Sequence, residues 1–505
     1  VRALLSVWDK RGLVPFAGGL AALGVELVAS GGTAAALEEA GLAHRKVEDL
    51  TGWPEMLGGR VKTLHPALHA GILADLDDES HRADLAEHDL TPIDLVVCNL
   101  YPFTADPSIK LIDVGGPTMV RAAAKNHAHV GVVVDPSDYD AVLAELRDTG
   151  ALSAPTRTRL ARTAFAHTAA YDAAIVEWFD AEVTPPEGLP ASVHLTLERA
   201  QALRYGENPH QRGARYRIAG QRSLWDEVVQ HAGSALSYLN LFDADAAWRL
   251  AHELAADTGR VAAVIVKHAN ACGAAVADDV AEAYRLALGA DEVSAFGGVV
   301  AVTGAIDAAA ASAIAAGPQA DVVIAASLTE EARDALVARR KATRLLSAPA
   351  PSEPKWSIRT IGDSVLVQDT DRFVRAATSW EVATHRAPTT AEMADLVVAW
   401  RVCGRTSSNA IVLARDGVAV GIGAGQQSRV VAAELATAKA GDRAKGAAAA
   451  SDAFFPFPDG LEMLVASGVT AVVQPGGSIR DAEVIAAADL AGIAMVLTSE
   501  RHFRH

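Results

Sequence analysis

Apolar residues follow two rhythms along the first quarter of the chain. The short runs "ALLSV" (3–7), "VELVAS" (25–30), "LVVCNL" (95–100) and "VGVVV" (130–134) read as strands. Between them, "TAAALEEAGL" (33–42) and "TMVRAAAKNH" (118–127) carry the spacing of amphipathic helices. Strands alternating with helices predict a parallel α/β domain over residues 1–135. Residues 136–180 read as mainly helical, and the Pro/Gly-rich "AEVTPPEGLPAS" (181–192) reads as a linker. The expected division is a first domain at 1–195 and a second at 196–505. A softer break lies about 347–375 in the second, opened by "SAPAPSEPKWS". The last third alternates strand-like stretches, "AIVLARDGVAVGIG" and "AVVQPGG", with helical ones. No tandem repeat is visible. A faint echo pairs "KHANACGAA" with "RTSSNAIVLA", each placing Asn-Ala after a polar cluster.

Composition narrows the function classes. Of 505 residues 50% are hydrophobic and 21% charged, an ordinary globular balance with ample core material. A net charge of −17 argues against sequence-independent binding to nucleic acid or anionic membrane. The three cysteines, Cys98, Cys272 and Cys403, form no CxxC pair, so neither a disulfide framework nor a cysteine zinc site is expected. The opening residues meet charges by Asp9, and the apolar run Val484 to Leu497 is short and holds Asp489. A cytoplasmic protein without a membrane span is the expectation.

Several motifs carry chemistry. In "LVASGGTAAALEEAG" (27–41) a strand gives way to Ser30-Gly31-Gly32-Thr33 and a helix, a turn that suits either an anion at a helix N-terminus or simple capping. "GGRVKTLHPALHAGIL" (58–73) sets Arg60, Lys62, Thr63, His65 and His69 beside glycines. The basic and hydroxyl groups suit a phosphorylated sugar, and the two histidines suit helix packing better than metal. "VVCNLYPF" (96–103) ends a strand in Asn99 and Tyr101, and "DVGGPTMVRAAAKNH" (113–127) opens a helix at Asp113 and closes it at Lys125. Together they could form an acid/base set at the carboxyl edge of a parallel sheet. In the second half, "VIVKHANACG" (264–273) leaves an apolar strand through Lys267 and His268, a plausible acid/base pair. "GIGAGQQSR" (421–429) fails the dinucleotide spacing because Gln426 and Gln427 stand in its last places.

In this order, "SGGTA", "PEMLGGRVKTLHPALHAGIL", "CNLYPF" and "DVGGPTMVRAAAKNH" closely resemble the IMP cyclohydrolase half of a bifunctional purine-biosynthesis family. "LRYGENPHQRGARY", "VIVKHANACG", "SAFGGVVA", "CGRTSSNAIVLA", "SDAFFPFPDG" and "QPGGSIRDAEVI" resemble its AICAR transformylase half, and the likeness spans nearly the whole chain. The resemblance implies a methylglyoxal-synthase-like parallel α/β domain followed by two cytidine-deaminase-like α/β subdomains. It implies transfer of a formyl group from 10-formyltetrahydrofolate to AICAR, then closure of formyl-AICAR to IMP. The alternative is a transformylase whose cyclohydrolase domain is degenerate.

By motif matching, the resemblance assigns Lys267, His268, Asn409 and Asp459 to formyl transfer, and Lys125 and Tyr101 to cyclisation. It places AICAR against Arg204, Tyr205, Gly297, Asp321, Arg429, Phe454 and Arg501, and folate against Val430, Ser478 and Ile479. The cyclohydrolase nucleotide falls to Lys10, Ser30, Gly31, Thr33, Arg60, Lys62, Thr63, Asn99, Asp113 and Gly115. It also implies a homodimer with shared transformylase sites. The deaminase zinc signature is absent, so the likeness brings no catalytic metal and leaves room for a structural monovalent cation. Three departures stand out: Trp8 where the family has serine, a stretch between Phe103 and Asp113 shorter than in most of the family, and Ala271 where it has proline.

Overall fold

In the computed structural model, residues 1–183, 185 and 187–505 are described, so Thr184 and Pro186 of the expected linker lie outside the described residues. Contacts divide the chain into two units. One holds Val1–Glu198 with Ile218–Gly220, the other Arg199–Arg217 with Gln221–His505.

The first unit is built on a parallel sheet of β1 (Arg2–Val7), β2 (Glu26–Ala29), β3 (Arg45–Lys46), β4 (Leu95–Asn99) and β5 (Gly131–Val133), in the order β3-β2-β1-β4-β5. β1 and β4 are almost continuously apolar, as strands covered on both faces must be, and Leu4, Leu5, Val96 and Val97 are fully buried. The helix Ala154–Trp178 begins at Ser153, whose hydroxyl accepts the Thr156 N–H at 3.4 Å. Its Tyr171 hydroxyl accepts the Asp113 N–H at 2.8 Å and donates to the Leu111 carbonyl at 2.9 Å. The turn that opens the helix Gly115–Lys125 is therefore tied to the helical layer.

A two-stranded ribbon, β6 (Leu197–Leu203) and β7 (Gly213–Ile218), comes next. The second unit then forms one sheet. Its strands are β8 (Val229–Ala232), β9 (Val261–Lys267), β10 (Asn270–Ala277), β11 (Val299–Ile306), β12 (Val322–Leu328) and β13 (Arg344–Ser347). After the separate hairpin β14 (Trp356–Ile361) and β15 (Ser364–Asp369) come β16 (Glu381–Val382), β17 (Ile411–Arg415), β18 (Val418–Gly423), β19 (Ala448–Ser451), β20 (Ala471–Gln474) and β21 (Ala494–Leu497). The order is β16-β21-β20-β19-β17-β18-β10-β9-β11-β12-β13-β8.

That order reads the same from either end. Each half has an antiparallel edge strand, three parallel strands and an antiparallel hairpin, and the halves join where Ala275 of β10 faces Val418 of β18. The duplication lies in topology. The Asn-Ala echo is not its trace, because Asn270 opens the second hairpin strand of its half while Asn409 precedes the first of the other.

Glycine sets the spacing between this sheet and its helices. A Cβ at Gly273 would lie 2.0 Å from the Ala287 carbonyl, and one at Gly423 would lie 2.0 Å from that of Ala432. The glycines of "GIGAG" thus admit the helix Arg429–Ala440 against β18 and cradle no dinucleotide. Gly423→Ala should cost about 1–3 kcal/mol or more through overpacking. Gly289→Ala, in open space near the end of the helix Val280–Ala290, should gain about 0.5–1 kcal/mol. Thermal melts of the two variants should move in opposite directions.

The helix Thr390–Gly404 starts with a capping box: the Thr389 hydroxyl accepts the Glu392 N–H, and the Glu392 carboxylate accepts the Thr389 N–H. Arg386 grips the same carboxylate at 2.9 Å with two nitrogens. That pairing, more than the cap, holds Glu392 down at about 2 against the opposing effect of burial. A depressed carboxylate stabilises above its unfolded value and loses that contribution as pH falls through its folded one. Glu392→Gln should flatten the fall in stability between about pH 4.5 and 2, read as denaturant midpoint against pH.

Candidate active sites

In the first unit, the carboxyl ends of β1, β2 and β4 bring several of the expected residues together. Asn99, at the end of β4, accepts the Trp8 N–H at 2.7 Å and the Asp9 N–H at 2.9 Å, and its amide donates to the Asp9 carbonyl at 3.1 Å. Buried Thr33 exchanges hydrogen bonds with both backbone groups of Val7, at 2.9 and 3.1 Å. Both side chains therefore shape the β1 exit loop. Ser30 is buried, with its hydroxyl 3.3 Å from that of Ser6.

The anion-binding features lie beside them. Gly31 has φ 49°, and a Cβ there would stand 2.9 Å from the Lys62 ammonium. A Cβ at Gly32 would stand 3.6 Å from the Lys10 ammonium. Two ammonium groups thus flank the first turn of the helix Gly31–Glu39, where N–H groups and the helix dipole favour negative charge. Lys62 is meanwhile paired with Glu55 at 2.8 Å. Thr63 is buried, its hydroxyl 2.8 Å from where a Gly115 Cβ would be. Arg60 is exposed.

Asp113 accepts the Gly116 N–H at 2.9 Å. Burial raises its pKa, and hydrogen bonds from the backbone of Gly116, Gly115 and Tyr101 only partly oppose that rise. A carboxyl biased toward its proton next to Tyr101 suits acid/base work. The exposed Tyr101 ring meets Trp8 edge-on, with centroids 5.1 Å apart, so the departure at Trp8 sits in this cluster. Lys125 is not gathered with the others. It is exposed at the far end of its helix, ten residues from Gly115, or about 15 Å along the axis. His65 caps the helix Pro66–Leu73 by accepting the Ala67 N–H at 3.2 Å, and burial lowers the pKa of His69.

In the second unit, strand register aligns the other set. β9 pairs Val266 with Val299 of β11, which pairs with Val322 of β12. The exit of β9, the Phe296–Gly297 turn and exposed Asp321 therefore share one sheet edge. Lys267 donates to the Phe296 carbonyl at 2.9 Å, and Gly297 takes φ 72°. His268 is exposed in the two-residue turn between β9 and β10.

The other half of the sheet presents its loops to the same edge. Asn270 accepts the Ser407 N–H at 2.8 Å, and Arg504 donates to the Ala269 carbonyl at 2.6 Å. Asn409 accepts from Arg429 at 2.9 Å and donates to the Gln426 carbonyl at 2.9 Å. One amide hydrogen of Asn409 remains for a ligand. Arg429 also pairs with fully buried Asp452, which accepts from the Ser408 hydroxyl at 2.6 Å and the Ala410 N–H at 3.1 Å. Phe454 follows β19, the Ser478–Ile479 loop follows β20, and the tail Arg501–His505 follows β21. Ile479 is fully exposed, Val430 is half-buried, and Arg501 stacks on Phe503 at 4.5 Å.

Arg501, Arg504, His505, Arg405, Ala269 and Ala271 help line a cavity of about 860 Å³. Its wall is ordered by charge: Arg405 reaches Glu253 at 2.7 Å and Asp371 at 3.1 Å, and Asp371 also meets His502 at 2.9 Å. Burial pushes Asp371 up, but His502 and Arg405 outweigh it and hold the carboxyl below its usual range. Arg204 and Tyr205 stack on each other at 5.4 Å in the loop after β6. Among the described residues no hydrogen bond or ring contact joins them to the His268 edge. Asp459 is exposed and bonds its own helix start at Gly460. Sequence reasoning quoted "SDAFFPFPDG" and passed over its Asp452; an acid inside a run of small and aromatic residues was the available signal.

The family model for the AICARFT/IMPCHase bienzyme matches residues 123–439, and that for the MGS-like domain matches residues 12–128. A protein of Listeria welshimeri named "Bifunctional purine biosynthesis protein PurH" is 48% identical over 516 residues, covering 100% of both chains. Proteins of the same name from Dinoroseobacter shibae and Sorangium cellulosum are each 49% identical, covering 100% of this chain and 98% and 99% of theirs. The chain belongs to the AICARFT/IMPCHase bienzyme family. The first unit thus holds the MGS-like domain, matched over residues 12–128, of a bienzyme with AICAR formyltransferase and IMP cyclohydrolase activities. Among the described residues no helix is long and apolar enough to cross a membrane.

Proposed function

We propose that this chain transfers the formyl group of 10-formyltetrahydrofolate to AICAR at the His268 edge and closes formyl-AICAR to IMP in the first unit. The observation that carries the first half is the meeting of an exposed imidazole, an ammonium and an amide donor on one sheet edge. The AICAR amine is a weak nucleophile because its lone pair is delocalised into the ring. As it attacks the formyl carbon, His268 takes its proton. Lys267 and the free amide hydrogen of Asn409 stabilise the tetrahedral oxyanion. Collapse breaks the bond to the folate N10, which leaves with a proton.

In the first unit, the carboxamide nitrogen of formyl-AICAR attacks the formyl carbon and water is lost. Asp113 and Tyr101 serve proton transfer while Lys10 and Lys62 hold the phosphate. Lys125 stands at the far end of the helix Gly115–Lys125, beyond a lysine side chain's reach of Asp113. Arg429, Phe454 and Arg501 stand where AICAR would bind, and Val430, Ser478 and Ile479 face the folate. Each step uses the chain's own side chains. We read the protein as a cytoplasmic homodimer with shared transformylase sites; the exposed Ile358, Val365 and Leu366 of the β14–β15 hairpin offer apolar surface to a second copy.

Chromatography of the full-length protein with AICAR and 10-formyltetrahydrofolate should show tetrahydrofolate and IMP appearing together. With formyl-AICAR alone it should show IMP. Accumulation of formyl-AICAR without IMP would establish a transformylase only.

A further inference from the structure

The turn that presents His268 is conformationally costly. A two-residue hairpin loop with both residues at positive φ favours Asn-Gly, yet here it holds His268 at φ 55° and Ala269 at φ 57°. Chemistry requires a side chain at the first position, so the turn cannot relax to glycine there. Something must hold it.

All four backbone groups of the turn have partners. The His268 carbonyl accepts from the Asn270 amide at 3.1 Å, and the Ala269 carbonyl accepts from Arg504 at 2.6 Å. Both N–H groups go to one carboxylate: Asp243 accepts from Ala269 at 2.8 Å and from His268 at 3.3 Å. Asp243 lies in the helix Tyr238–Thr258, whose start is fixed by a capping box of Ser237 and Asn240. A helix packed on β9 and β11 is a rigid mount.

We propose that Asp243 is a positioning residue for formyl transfer: its carboxylate clamps both N–H groups of the strained turn and thereby fixes the His268 imidazole. This rests on His268 acting as the base. A carboxylate offers an acceptor oxygen to each N–H group. An amide would turn a donor toward one of the two N–H groups.

The test is steady-state kinetics of the full-length protein with AICAR and 10-formyltetrahydrofolate. Asp243→Ala should lower kcat roughly tenfold to a hundredfold, the scale of a small misplacement of a reacting group. The KM for AICAR should change less than about threefold, and cyclisation of formyl-AICAR by the same preparation should be unchanged. Ala269→Gly removes the demand at one strained position. Added to Asp243→Ala it should restore much of the lost kcat. Loss of kcat and AICAR affinity to equal extents, or no recovery from Ala269→Gly, overturns the proposal. Should Asp243→Ala fail to fold, as judged by its melt, Asp243→Asn takes its place with the same expectations. If His268→Ala is inactive while both Asp243 variants keep full kcat, the positioning role alone is wrong. If His268→Ala retains activity, the base assignment falls first.

Discussion

His268→Ala should lower kcat for formyl transfer by roughly 10²–10⁴-fold, the range of a positioned general base, with little change in AICAR affinity. The imidazole is exposed at the tip of its turn, so removing it opens no cavity. Alanine keeps the Cβ, and the backbone demand of φ 55° is unaltered. The effect therefore falls on the transition state, about 3–5 kcal/mol of it. Isothermal titration with AICAR beside single-turnover formyl transfer separates the two quantities. Equal losses in binding and rate would mean that His268 holds substrate and takes no proton.

The second large effect belongs to a buried acid. Asp452 is completely buried, and it faces Arg429, the Ser408 hydroxyl and the Ala410 N–H. Asp452→Ala leaves the Arg429 guanidinium nearly buried without its counter-charge, a loss of about 3–5 kcal/mol for a broken buried pair. Arg429 also orients Asn409, so formyl transfer should fall with stability. Asp452→Asn keeps the shape and should be milder. Denaturant unfolding followed in the second unit measures this, and a change under about 1 kcal/mol would contradict the account.

The parallel sheet of the first unit was legible because its strands are near-continuous apolar runs between helical spacings. Its candidate site was legible as short motifs, and the structure brings Gly31, Lys62 and Thr63 of those motifs to one sheet edge. The symmetric sheet of the second unit was not legible in the apolar pattern; only the family resemblance, with its two cytidine-deaminase-like subdomains, anticipated a duplicated half. Its halves are related by long-range pairing, and equivalent strands share little but a glycine where a helix comes close, Gly273 in one and Gly423 in the other. Roles that depend on distant partners were equally hidden: Asp452 meets Ser408 across 44 residues, and Asp243 meets His268 across 25. Asn99 and Thr33 show the opposite limit. Their motifs pointed to ligand contacts, and in the structure each also bonds the backbone of the β1 exit. The grouping of Tyr101, Asp113 and Lys125 was read from nearness in sequence, and Lys125 stands at the far end of the helix that Asp113 opens.

We propose that the two chemistries reside at two separate sites on one chain. It is tested most directly by giving His268→Ala each substrate in turn and following IMP. IMP should form from formyl-AICAR at the parent rate, and from AICAR with 10-formyltetrahydrofolate roughly 10²–10⁴-fold more slowly. Loss of both reactions in a variant that melts like its parent would contradict it.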